Sequence, residues 1–151
     1  VDMKRATTHS RLLLTLATLF VSCSHIHNGK ELSSREIQQI KEIGLLNPQE
    51  KIYQFYSNAP FNKTNAGNFY STERIAHYWL DDNKRKTQVN FAYYRDIKRI
   101  TTTYNPHGDF VIPFITVIKK DSTQFNVYVE GDKSDVKFFF DSCFLHWRAG
   151  K

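Results

Sequence analysis

Residues 68–100 read NFYSTERIAHYWLDDNKRKTQVNFAYYRDIKRI. Three short runs in it, 68–71, 75–80 and 87–92, are rich in aromatic and β-branched residues and have the length of strands. Thr72-Glu73-Arg74 turns the first pair into a hairpin, and the polar hexapeptide Asp81-Asp82-Asn83-Lys84-Arg85-Lys86 makes the next turn. Val89 and Phe91 give the third run an apolar face. His77, Tyr78 and Trp79 alternate along the second, so either Tyr78 or the His77/Trp79 pair faces a core. A fourth strand, 97–103, opens with Ile97 and Ile100 three residues apart. That spacing is out of step with a pleat of period two, and a bulge or a helical turn near Asp96 accommodates it.

The rest of the chain completes this sheet or leads up to it. After the strong turn Asn105-Pro106-His107-Gly108-Asp109, residues 110–119 and 123–130 form a last hairpin around Lys120-Asp121-Ser122. Asp132 or Ser134 then caps a helix that runs to Arg148, before Gly150. Val136, Phe139 or Phe140, Cys143 and Trp147 recur on it at helical spacing, so it packs on the sheet. Upstream, residues 51–57 form an aromatic-rich strand, with Tyr53 and Phe55 on one face and Ile52, Gln54 and Tyr56 on the other. A polar loop, 58–67, follows it. Ser33-Ser34-Arg35-Glu36 matches a capping box, and Ile37, Ile40 and Ile43 give the short helix behind it a narrow apolar stripe that ends at Gly44. The count is about seven antiparallel strands in a mainly β, α+β domain over residues 33–151. A short helix opens the domain and a longer one closes it.

Composition fixes the class. A chain of 151 residues with 40% hydrophobic content supports one domain with a sizeable core. The net charge is +6, of which the first 22 residues hold +2, so the body is only mildly basic. Nucleic-acid binding needs denser Lys/Arg stripes than that, and nucleic acid is not expected as a partner. Two cysteines, Cys23 and Cys143, are too few for a disulfide framework.

Residues 3–24 read MKRATTHSRLLLTLATLFVSCS. Lys4, Arg5 and Arg11 precede an apolar run, 12–21, broken only by Thr15 and Thr18. Ten helical residues rise about 15 Å, half of a hydrocarbon core of roughly 30 Å, so residues 1–22 read as a secretory signal rather than a span. Leu19-Phe20-Val21-Ser22-Cys23 resembles the lipobox of bacterial lipoproteins, with Phe20 where leucine is usual. The resemblance implies lipidation at Cys23 and acyl chains that hold the protein at a membrane of the cell envelope. Residues 23–32, with His25, His27, Asn28 and Gly29, then read as a tether. The residue after the cysteine is Ser24; the enterobacterial sorting rule retains lipoproteins with Asp there at the inner membrane.

The order of elements resembles the pleckstrin-homology-like (PH-like) fold, two near-orthogonal sheets closed at one end by a C-terminal helix. Two local words fit bacterial members of that group. Ser71-Thr72-Glu73-Arg74-Ile75 matches a T-x-x-R-apolar strand opening, with Ser71 in place of the leading Thr. Residues 91–100, FAYYRDIKRI, match an apolar-x-Tyr-x-Asp-Ile-x-x-Ile segment with one extra residue before the Asp. The resemblance covers residues 51–148. Cystatin- or NTF2-like cones put long helices before the sheet and end on a strand, and a lipocalin barrel wants another strand and more length.

The resemblance places Arg74 and Asp96 in recurring words, where they are expected to pair as a structural ion pair across the sheet. Lys84, Arg85 and Lys86, with Lys63 and further Arg95, Lys98 and Arg99, offer an anion- or partner-binding rim, although a charged turn is ordinarily just solvated. The basic loop pattern through which eukaryotic pleckstrin-homology domains take phosphoinositides is absent, so that ligand is not implied. His77 and His146 have no second ligand at a supporting spacing, and the His25/His27 pair lacks a third, so no metal is expected. Cys143, beside Phe140, Phe144 and Trp147 on one helical face, reads as a small buried apolar residue. No Gly-rich phosphate loop, HExxH, G-x-S-x-G or clustered acid pair is present in the sequence, so neither a catalytic site nor a cofactor is expected. The sequence therefore leads to a lipid-anchored, non-catalytic interaction domain that takes a protein or peptide on a sheet edge or aromatic groove. The alternative is direct binding of anionic lipid or glycan groups by the basic turn.

Overall fold

The structure is a computed structural model that describes residues 26–57, 59, 65–81, 86–104 and 112–150. The expected signal, Cys23, Lys63, Lys84 and Arg85 lie outside these residues. In chain order the elements are β1 (Ile26–Asn28), a 3-10 turn (Gly29–Glu31), α1 (Ser34–Glu42), β2 (Ile52–Tyr56), β3 (Ala66–Ser71), β4 (Arg74–Trp79) and β5 (Gln88–Tyr93). A second 3-10 turn (Tyr94–Asp96) leads to β6 (Ile97–Thr103), β7 (Phe114–Lys119), β8 (Gln124–Tyr128) and α2 (Lys133–Ala149). Strands β1 to β5 form one antiparallel sheet in sequence order, and β6 to β8 form a second. The seven strands and two helices expected from the sequence are all here, in the expected order.

The stretch expected as a tether is a correction. Ile26–Asn28 adds to the outer edge of β2, pairing Ile26 with Tyr56 and Asn28 with Gln54. Gly29 then passes so close to β2 that a Cβ there would sit 1.9 Å from the Ile52 carbonyl oxygen. The capping box is as expected. Ser33 Oγ accepts from Glu36 N–H at 3.3 Å, and Glu36 Oε2 accepts from Ser33 N–H at 2.7 Å. Gly44 ends the helical segment with φ +78°, a conformation cheap only for glycine.

The five-stranded sheet is buried on both faces. On one, Phe55, Phe69 and Ala76 lie in register across β2, β3 and β4, and α1 covers them through Ile40 with Leu45 and Leu46 behind it. On the other, Tyr70, Ile75 and Ala92 face Ile115, Val117 and Val127 of the second sheet and Phe139, Phe140 and Cys143 of α2. Each leucine, isoleucine, valine or phenylalanine among them contributes about 1.5–3 kcal/mol on burial. A bulge between Ile52 and Gln54 changes the facing expected for β2: Ile52 joins Phe55 in the α1 cluster, while Tyr53 stacks on His146 of α2 with ring centroids 3.9 Å apart. The three-residue spacing of Ile97 and Ile100 resolves through both devices foreseen. The 3-10 turn precedes Ile97, and the ladder shifts register between Ile97 and Arg99, so both isoleucines are buried.

Arg74 is paired, but with Glu50 rather than Asp96. Its Nε and Nη2 donate to Glu50 Oε1 and Oε2 at 2.9 and 2.7 Å, and both side chains are at most 1% exposed. The guanidinium lies over the rings of Phe91 and Tyr93, 5.0 and 4.4 Å from their centroids, on the sheet face that α1 covers. Asp96 sits beyond the end of β5 and lines a cleft between β5 and β8. The alternation of β4 that puts Ala76 and Tyr78 under α1 puts Arg74 there too, beside the turn that carries Glu50. Glu50→Gln is expected to destabilise the domain by about 3–5 kcal/mol in urea unfolding, because it strands a buried guanidinium. The double variant Glu50→Leu/Arg74→Met is expected to recover much of that loss.

Candidate functional site

Strand β6 is the outer edge of the second sheet, and among the described residues no strand pairs with its free side. Only Ile97 and Ile100 point inward, and Lys98, Arg99 and 101–103 are exposed. Beside this edge runs α2, and between them lies a groove of about 670 Å³ lined by Ile100, Thr101, Thr102, Tyr104, Phe140 and Phe144, with Lys133, Lys137 and Asp141 on its rim. Tyr104 packs against Phe140 at a ring-centroid distance of 5.2 Å. Lys137 and Asp141, one helical turn apart, form an exposed ion pair. The groove joins a strand edge that no described strand pairs to an aromatic floor, and an extended chain could satisfy the first while seating a side chain on the second.

A second cleft, of about 580 Å³, opens between the free edges of β5 and β8, where Val89, Phe91 and Phe125 meet Asp96, Lys119 and Asp121. The last two form an ion pair at 3.7 Å, and hydrogen bonds from Thr123 hold the Asp121 carboxyl below the usual range.

The third concavity is the mouth of the barrel, of about 240 Å³, lined by Asn68, His77, Trp79, Ile112 and Tyr128. Its base is a polar row: Tyr56, Asn68, His77 and Asn90 lie in register across four strands. Asn68 Oδ1 accepts from the Tyr128 N–H at 3.1 Å and lies 2.9 Å from His77 Nδ1, so Nδ1 carries the proton of the neutral ring. This bond ties the two sheets together. Tyr56 donates its hydroxyl proton to Glu130, and burial pushes its pKa up.

Of the basic candidates from the sequence, those within the described residues lie apart. Lys86 is exposed and its N–H donates to Asp81 Oδ2 at one end of β5, whereas Arg95 lies over the Tyr93 ring at the other, roughly 20 Å away along six residues of strand. The extended rim that joined Lys86 to Arg95, Lys98 and Arg99 is thus divided between two ends of the barrel. His146 stacks on Tyr53, and Cys143 is fully buried with its thiol pKa pushed up by desolvation. Among the described residues no group of His, Cys, Asp and Glu could hold a metal ion, and no helix is long and apolar enough to cross a membrane. Sequence reasoning singled out neither Tyr104 nor Asn68 nor Tyr128. The groove's signal was present in the Phe140/Phe144 spacing beside a polar edge strand.

The fold is PH-like, as its sheets and closing helix define it. A solved structure of a DUF1696 family protein with a pleckstrin-homology domain from Shewanella loihica PV-4 superposes with a TM-score of 0.52. The alignment covers 80% of this chain and 96% of that one at 10% identity, a likeness of fold. No family model matches the chain, and no curated protein matches it.

Burial lowers the pKa of His77 below its usual 6.5. The neutral ring therefore contributes stability that is fully present above about pH 6.5 and lost as the pH falls from there through the folded-state value. His77→Gln should flatten the fall in melting temperature below about pH 6.5, read against the wild type in matched buffers. An unchanged slope would assign that pH dependence to other groups.

Proposed function

We propose that this is a lipid-anchored cell-envelope protein whose PH-like domain is a non-catalytic interaction module. It binds an extended segment of a protein partner by adding a strand to the free edge of β6, against α2. The observation that carries this reading is the coincidence of a seven-residue edge, unpaired among the described residues, with the aromatic groove of Tyr104, Phe140 and Phe144. Main-chain hydrogen bonds to β6 would supply sequence-tolerant affinity, and the aromatic floor would select an apolar side chain at one position. Lys133 at the rim favours an acidic residue nearby in the bound segment. The lipid anchor rests on the resemblance of residues 19–23 to a lipobox.

Two measurements test the two halves. Peptides selected from a random library on the immobilised domain are expected to shift the backbone amide resonances of Ile97–Thr103, and Phe144→Ser is expected to weaken them about tenfold or more while the fold is kept. Shifts confined to β5 and β8 would move the site to the other cleft. For the anchor, metabolic labelling with a fatty acid should mark the wild type and not Cys23→Ser; equal labelling of the two would remove it.

A further inference from the structure

The end of the barrel on which the chain enters sets how the domain is presented. Ile26 pairs with Tyr56, the last residue of β2, and Tyr56 leads across the sheet to Asn68 and His77. Ile26 thus stands one pleat from the row of Ala66 and Trp79 at the mouth. Its side chain packs near Gly131, where the chain enters α2. Residues 23 to 26 are three steps apart and span at most about 10 Å. A flexible tether of ten residues, as the sequence suggested, would instead wander by about 16–18 Å and leave orientation free. Because β1 takes up the tether, a membrane-held Cys23 would have only that reach from Ile26.

The mouth carries the side chains suited to such a place. Trp79, Ile112 and Tyr128 are 47%, 38% and 39% exposed and line one concavity. Trp and Tyr favour the level of lipid headgroups, where an apolar ring and a polar tip are both satisfied. The charged residues described at this end, Asp81, Lys86 and Glu130 with Asp132 and Lys133 beside Gly131, carry no excess of positive charge, so attraction to anionic lipid is not the main term.

We propose that the barrel mouth is a bilayer-contacting surface, with Trp79, Ile112 and Tyr128 seated at the headgroup–acyl boundary of the membrane that holds Cys23. The inference rests on the lipid-anchor reading.

The test uses the full lipidated chain in neutral vesicles with and without brominated acyl chains, read by tryptophan fluorescence. The other tryptophan, Trp147, is buried on α2 toward the opposite end. Emission of the wild type is expected to be quenched by brominated lipid, at low and high salt alike, and the quenching to be lost in Trp79→Phe. Vesicle-bound, lipidated protein without quenching would overturn the docking and leave the anchor standing, as a protein partner on the mouth would require. Protein that mass spectrometry shows to carry no lipid on Cys23 would overturn the anchor and the docking together.

Discussion

The buried pair of Arg74 and Glu50 is the constraint on which the architecture turns. Glu50 lies in the connection from α1 to β2, and Arg74 opens β4. Ser71 Oγ donates to Glu50 Oε1 and accepts from the Arg74 N–H at 3.0 Å, and the Asn47 N–H donates to Glu50 Oε2 at 2.9 Å. One carboxylate therefore holds the α1 connection, the β3–β4 turn and the guanidinium together. Such a pair gains little net free energy over apolar residues of the same shape, because both charges leave water. What it fixes is position: the leading helix docks in one register over the sheet. The Tyr94 hydroxyl, bonded to the Ser71 carbonyl, extends the same anchor point to the turn that starts the second sheet.

Much of this could be read from the chain because local rules act locally. The Ser33/Glu36 box, Gly44 and the Ile97/Ile100 spacing each name their own backbone geometry, and each is found. The partner of Arg74 was illegible because it is 24 residues upstream in a turn without periodicity. Asp96 was the nearer acid in a recognisable word, but the alternation of β4 turns Arg74 to the α1 face. Strand β1 was illegible for another reason. Its sequence, Ile-His-Asn, has almost no strand signal, and its conformation is imposed by the open edge of β2. The facing of β2 failed at a single bulge, which no residue pattern announces.

The candidate surfaces follow from where the two sheets stop. Among the described residues neither sheet closes on the other through a continuous ladder, so edges remain at β1, β5, β6 and β8. At the end near the mouth, Asn68 bridges to the backbone of β8, which lets the polar row serve as a strut where apolar packing ends. The β6 edge is left beside an apolar helix, and the β5 and β8 edges face each other across a charged cleft. The same strand inventory thus produces one greasy and one polar opening.

The double burial of the first sheet also bears on how the chain can be cut. Every residue of β3 is buried, because α1 roofs the side that a minimal two-sheet barrel would leave wet. A fragment beginning after residue 46 would lay bare a continuous strip of Phe55, Phe69, Ala76 and Tyr78 on an otherwise intact sheet. Such a strip is an aggregation surface, flat and aromatic. The leading helix is therefore the cover over this strip, and a cut between α1 and β2 would free that cover to leave it.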